Sequence, residues 1–414
     1  MYQKHFRSAG PSGQPKQFNY RGKPASKGGF SSGHGRRFGG GSGRGGFSKH
    51  IDVSKFINKA VITEKVEHYV PEHSFADFAI DNHLKTNIAT KSYYVPTPIQ
   101  DKAIPHILRG SDLVGIANTG TGKTAAFLIP LIDKVIKSPS ERVLIIVPTR
   151  ELSQQIESEL RGFTTHLRIA SVSCVGGAGI GFQIKSLSMR PQFVIGTPGR
   201  LRDLIDRKRI DLSQFSTVVL DEADRMLDMG FIGEVKFMVS KMSAKRHTLF
   251  FSATMSKEIE TLISQFLTNP VMISVKTGDT PSAVDQDVVR VPMGKNKFDI
   301  LTDMLKQSGF DKILIFGKTK HGVQKLADQL AKLGFKAESI HGNKSQPQRA
   351  RALNLFKEHH MKILVATDVA ARGLDISGVS HVINYDIPAT YEDYVHRIGR
   401  TGRAGKKGKA LTFV

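Results

Sequence analysis

The chain has 414 residues, with Lys+Arg 60 against Asp+Glu 37 and a formal charge of +23. At roughly 100–200 residues per domain, that length calls for two or three domains, each able to bury its own core. One cysteine, Cys174, excludes an intrachain disulfide and a cysteine-based zinc site. No apolar run approaches the roughly 20 residues of a membrane span, and the N-terminus lacks a secretory apolar stretch, so the expectation is a soluble intracellular protein with no membrane partner. A cationic surplus of this size points to a polyanion, nucleic acid, more than to solubility alone.

Residues 1–50 are rich in Gly, Ser, Arg and Lys and hold ten cationic residues and no acidic one. Removing those ten from the +23 leaves +13, so the remainder is basic as well. Such a segment buries too little apolar surface to offset its ordering entropy and is expected to be disordered. Phe6, Phe18, Tyr20, Phe30, Phe38 and Phe47 are interleaved with Arg and Gly. That texture resembles RGG-type tails, in which Arg and aromatic rings contact phosphates and unstacked bases; the alternative is a passive solubilising tail. Residues 51–74 are read as a connecting segment.

From Phe75 onward, short β-branched apolar runs alternate with amphipathic stretches. The runs are Asp112–Ile116, Arg142–Val147, Phe193–Ile195, Thr217–Leu220 and Thr248–Phe251, with Glu151–Phe163 and Arg200–Arg207 among the helical stretches. The pattern pauses at residues 276–284, where Gly278, Asp279 and Pro281 cluster, then resumes with Lys312–Phe316, Ile363–Ala366 and His381–Asn384. Continuous apolar strands separated by helices imply parallel sheets with helices on both faces. The expectation is an α/β protein with domains at 75–275 and 285–414, and with polar clusters at the carboxyl ends of strands, where open α/β sheets bind ligands.

Ala117-Asn-Thr-Gly-Thr-Gly-Lys-Thr124 follows a strand and precedes a helix, the context of a P-loop. Gly120 and Gly122 let backbone N–H groups curl around phosphate, Lys123 faces the β- and γ-phosphates, and Thr124 offers a hydroxyl to Mg2+. The first position is Ala117 where the motif usually has Gly, and a structural Gly-rich turn is the bland reading. Asp221-Glu222-Ala223-Asp224 ends another apolar run. Acids there are costly unless a cation or a reaction needs them. Asp221 suits Mg2+ held through water, and Glu222 suits the base that orients the attacking water; an acidic helix cap is the alternative, for which Asp224 is the candidate.

With its companions, Asp-Glu-Ala-Asp resembles the DEAD-box ATP-dependent RNA helicase family of superfamily 2, in its bacterial RhlE-like form, over residues 75 to the end. The resemblance implies two RecA-like domains and the cofactors ATP and Mg2+. Pro96-Thr-Pro-Ile-Gln100 is similar to the family's Q motif, in which Gln100 would pair with adenine, Tyr93 would stack on it, and Phe75 would be the isolated upstream aromatic. Ser92 stands where the family usually has Gly. The nucleotide set is then Phe75, Tyr93, Gln100, Ala117, Asn118, Thr119, Gly120, Thr121, Gly122, Lys123, Thr124 and Asp375.

Thr149 and Arg150, Gly176 and Gly177, and Thr197 and Arg200 resemble the first domain's RNA-contact motifs, whose hydroxyls, glycine N–H groups and cations can grip phosphates without reading bases; Arg349, Thr367 and Asp368 resemble RNA-contact positions of the second half. Ser252 and Thr254 resemble the motif that couples hydrolysis to unwinding. His396-Arg-Ile-Gly-Arg-Thr-Gly-Arg403 is similar to the arginine-finger motif, placing Arg400 and Arg403 at the γ-phosphate, and Asp375 would hold the ribose. A solvated surface charge is the ordinary role of any one such Arg.

The resemblance thus implies a cytoplasmic monomer acting on RNA, with ribosomal or RNA-decay complexes as possible company. Two rivals stay open: an ATP-dependent RNA clamp with little unwinding, and a DNA helicase, because phosphate-gripping residues do not distinguish RNA from DNA. Lys409–Val414 reads as a strand, whereas family members usually continue into at least one more helix.

Overall fold

The computed structural model describes residues 53–57, 69–118, 120–275, 284–371, 378–402 and 408–414. Thr119, Asp375, Arg403, the basic tail and most of the expected linker lie outside the described residues. Among those described, no helix is long and apolar enough to cross a membrane.

Two parallel sheets organise the chain. The first contains β1 (Leu113–Ile116), β2 (Val143–Ile146), β3 (Ser171–Cys174), β4 (Phe193–Gly196), β5 (Thr217–Leu220), β6 (His247–Ser252) and β7 (Val271–Ser274), in the spatial order β3-β4-β2-β5-β6-β1-β7. Its helices are α1 (Asn82–Thr90), α2 (Pro98–Leu108), α3 (Lys123–Lys137), α4 (Arg150–Phe163), α5 (Ile180–Ser188), α6 (Pro198–Asp206), α7 (Ala223–Asp228), α8 (Ile232–Ser240) and α9 (Lys257–Phe266). The second contains β8 (Val284–Val289), β9 (Ile313–Phe316), β10 (Ala337–Ile340), β11 (Ile363–Ala366), β12 (His381–Asn384) and β13 (Gly408–Phe413), in the order β10-β11-β9-β12-β13-β8. With it go α10 (Lys297–Leu305), α11 (Lys320–Lys332), α12 (Gln346–Lys357), α13 (Asp368–Ala371) and α14 (Tyr391–Ile398).

Central strands β1, β2, β4, β5 and β6 are buried at every residue, as strands covered on both faces must be. Each face of the first sheet has its own core. Ile145, Phe251 and Phe127 belong to the core on the side of α2 and α3, while Leu144, Phe250 and Leu201 belong to the core on the other side. The alternation of β-strand side chains divides each strand between the two cores.

Strand order decides where the motifs fall. β6 lies between β1 and β5, so the turn at 252–254 sits between the phosphate loop after β1 and the acidic turn after β5. The turns bearing Arg150, Gly176 and Arg200 follow β2, β3 and β4 at the other end of the same carboxyl edge. In the second sheet, Thr367 follows β11, α12 with Arg349 follows β10, and α14, with Arg400 just past its end, lies between β12 and β13 in the chain.

Candidate nucleotide and nucleic-acid site

The phosphate loop is drawn in on itself. Gly122 precedes α3 at φ 93°, a left-handed backbone, and a Cβ there would collide with the Gln100 amide. Lys123 is 6% exposed and donates from Nζ to the Ala117 carbonyl at 2.8 Å. Thr121 Oγ donates to the Asn118 carbonyl, also at 2.8 Å. The loop thus holds its lysine on its own first residue.

Gln100 does more than the sequence suggested. Its Nε2 donates to the Gly122 carbonyl at 3.1 Å, and its Oε1 accepts from the Thr97 backbone at 2.9 Å. The side-chain amide has two hydrogens and two lone pairs, so one of each remains for a base edge. Tyr93 is half-buried, edge-on to Phe75 (6.0 Å between centroids) and to Phe163 (5.5 Å). Phe75 is 5% exposed and packs edge-on against Tyr93 and Phe78.

At the end of β5, burial pushes the Asp221 carboxyl up to about 6, against the pull of Lys123 and with repulsion from Glu222. A carboxylate so deprived of water suits a cation, and Thr124 stands in the first turn of α3, just after the phosphate loop. Among the described residues no three His, Cys, Asp or Glu side chains form a metal cage. Glu222 takes φ 53° and ψ 50°, and its Oε2 accepts from Arg225 Nη1 at 2.8 Å with both side chains buried. Arg225 had no signal in the sequence beyond its position.

Asp224 is not the helix cap. Residue 222 holds the cap position of α7, and the Asp224 carboxylate accepts from the Ala253 and Thr254 backbones at 3.0 and 2.9 Å and from Thr254 Oγ at 3.2 Å. Burial raises its pKa, but Lys123, Arg225 and His396 outweigh that, leaving it below the usual carboxylate value. Ser252 is fully buried and donates to the Thr254 carbonyl at 2.8 Å. Ser252 and Thr254 are therefore wired to the acidic turn.

A cleft of about 420 Å3 is lined by Thr149, Arg150, Gly176, Thr197, Arg200 and Arg349, together with Glu151, Asp203 and others. It gathers expected phosphate-gripping residues from both sheets. Gly177, at φ 76°, leaves room that the Arg150 guanidinium occupies; a Cβ would displace it. Arg200 Nη1 donates to Gln183 Oε1 at 2.9 Å, and Gln183 Nε2 in turn donates to the Val175 carbonyl at 3.0 Å. Thr149 caps α4 by accepting from the Leu152 backbone at 3.3 Å. Across the cleft, Arg349 Nη2 meets Glu151 Oε1 at 2.9 Å and Gln346 Nε2 meets Gln154 Oε1 at 3.0 Å. Glu151 and Gln346 belong to the motif stretches Pro148–Leu152 and Gln346–Arg349 of the sequence, whereas Gln154 was not singled out.

Asp368 stands at the start of α13. Its carboxylate is held by Arg397 at 2.5 and 2.7 Å, and Arg397 also donates to Asn384 and to the Asp386 carbonyl. Asp368 therefore ties α13 to α14 through Arg397. Arg400, 3% exposed, follows on the same helix end, with Thr367 half-buried at the start of α13.

Comparison with known proteins accords with this layout. The DEAD/DEAH box helicase family model matches residues 97–262, and the helicase conserved C-terminal domain model matches 296–405. The chain belongs to the DEAD-box family of superfamily 2 helicases. It is 47% identical over 344 residues to the ATP-dependent RNA helicase CshA of Listeria monocytogenes, covering 82% of this chain and 66% of the relative. It is 44% identical to the RNA helicase CrhR of Synechocystis, covering 82% and 70%. The match thus spans about two thirds of the length of these curated relatives. Among solved structures, Saccharomyces cerevisiae Dbp5 bound to RNA and ADP BeF3 superposes with TM-score 0.74 at 29% identity, covering 82% of this chain and 89% of that one. Mss116p bound to ssRNA and AMP-PNP gives 0.75 at 30%, covering 83% and 76%. Both sheets are RecA-like in that sense.

Proposed function

We propose that the chain is an RNA-dependent ATPase that remodels RNA duplexes and RNA–protein complexes by ATP-driven closure of its two lobes. The observation that carries this reading is the cleft that joins Thr149, Arg150, Thr197 and Arg200 of one sheet to Arg349 of the other, along the carboxyl edge that also bears the phosphate loop and the acidic turn.

In this reading ATP lies on the loop 117–124, with Lys123 at the β- and γ-phosphates. Asp221 and Thr124 would hold Mg2+, which supplies charge neutralisation at the phosphates when bound. Glu222 takes the proton of the attacking water. Arg400 and Arg403 come from the second lobe, and an arginine finger is worth roughly 10^3–10^5 in rate. RNA that bridges both lobes would favour the closed arrangement and so switch hydrolysis on. The Asp224–Thr254 bonds give the acidic turn a direct mechanical link to the motif between the two loops. A strand bent across both lobes cannot keep its complement, which separates a duplex.

RNA rather than DNA is supported by the names of the relatives and by the RNA in the solved neighbours. The direct test is displacement of a short RNA duplex with ATP, alongside a DNA duplex of the same sequence. Displacement of the RNA duplex alone supports the reading. Tight ATP-dependent RNA binding with no displacement would favour a clamp, and equal displacement of both would favour a less selective helicase.

A further inference from the structure

Ser92 takes φ 60°, a left-handed backbone that a non-glycine residue enters only at a cost. The side chains on both sides of it end on one carboxylate. Glu159, in α4, accepts from Tyr93 Oη at Oε1, 2.8 Å, and from Lys91 Nζ at Oε2, 3.2 Å. Lys91 Nζ also lies 5.1 Å from the centroid of the Phe163 ring, which meets Tyr93 edge-on at 71°. Phe75 closes on Tyr93 from a further direction, at 73°. Two packed aromatic edges fix the plane of the Tyr93 ring, and the bond to Glu159 fixes its tip.

We infer that Glu159 is a positioning residue for the nucleotide base: the Lys91–Glu159–Tyr93 clamp holds the strained Ser92 turn and sets the Tyr93 ring where adenine stacks. Glu159 acts through Tyr93 and does not itself touch the nucleotide. The inference rests on the reading of Tyr93 as the base platform. It also gives Ser92 a physical account, since a residue without glycine's freedom is held left-handed by ties on both its neighbours. Glu159 shares α4 with Arg150 and Glu151 of the cleft, so one rigid helix carries both the clamp and the phosphate-gripping turn.

The test compares binding of Mg-ADP and of inorganic triphosphate to full-length variants. Glu159→Gln keeps shape but weakens the clamp. It should weaken Mg-ADP on the order of 10-fold, the scale of one hydrogen bond to a charged group, while triphosphate binding stays unchanged. Tyr93→Phe, which keeps the ring and removes the hydroxyl, should give a similar loss. The double variant should be no worse than either single one, because both remove the same bond. The inference is overturned if Glu159→Gln leaves Mg-ADP binding intact while Tyr93→Ala weakens it, if triphosphate binding falls equally, or if the two losses add. Unchanged Mg-ADP binding in Tyr93→Ala would instead remove the platform reading and the inference with it. A thermal melt of each variant separates local effects from unfolding.

Discussion

Glu222 sits in a left-handed backbone at the start of α7, a conformation that costs a non-glycine residue about 1–3 kcal/mol and recurs where function requires it. Its carboxylate is tied to buried Arg225, which fixes its direction. Glu222→Gln keeps an oxygen for Arg225 and removes the base, so turnover should nearly vanish while ATP and RNA binding persist. Glu222→Ala strands a buried guanidinium and should also destabilise the fold, by about 3–5 kcal/mol. Lys123→Ala should instead weaken nucleotide binding itself. Steady-state ATPase assays with binding isotherms and thermal melts separate these outcomes, and near-original turnover in Glu222→Gln would remove Glu222 as the base. Gln100 supports a second expectation. Guanine presents an acceptor at O6 where adenine presents a donor at N6, and the amide's remaining hydrogen and lone pair are fixed by its bonds to Gly122 and Thr97. ATP should therefore be hydrolysed in preference to GTP, and Gln100→Ala should lose that preference; a variant that keeps it would contradict the role.

At the scale of elements, the fully buried central strands were legible because each is a continuous apolar run. The edge strands β3, β7, β8 and β10 were not. Ser171–Cys174 and Ala337–Ile340 are short and polar on one face, and Val271–Ser274 is half-exposed, so neither run length nor apolar content marks them. The motif residues were legible from their spacing and residue type. Gln183 and Arg225 were missed because the roles they play rest on partners that only packing brings to them. The start of β12 yields a stability prediction. His381 is buried and stacked on Phe310 at 4.0 Å, and burial, with Lys409 nearby, lowers its pKa to about 4. Its ordinary value is 6.5, so between about pH 6.5 and 4 the unfolded chain binds the proton and the folded one does not. Stability should fall as pH drops through that window. His381→Gln should show a shallower decline in melting temperature; an unchanged slope would mean that other groups govern it.

The whole molecule adds a basic tail to this two-lobed body. The tail's ten cations can touch RNA but lie outside the motif-bearing sequence, so deleting residues 1–50 should raise the RNA concentration for half-maximal ATPase and make its salt dependence shallower, since fewer counterions are released. Turnover at saturating RNA should hold; its collapse would make the tail part of the machine. The central claim is different: the groups that hydrolyse ATP are divided between two lobes, and RNA brings them together. The Glu151–Arg349 bond marks where they meet, with the acidic turn on one lobe and α14 on the other. The decisive measurement is steady-state ATPase activity of the full chain with and without single-stranded RNA. Activity should be low alone and rise strongly with RNA, and Arg400→Ala should abolish the rise. Equal rates with and without RNA would contradict the account.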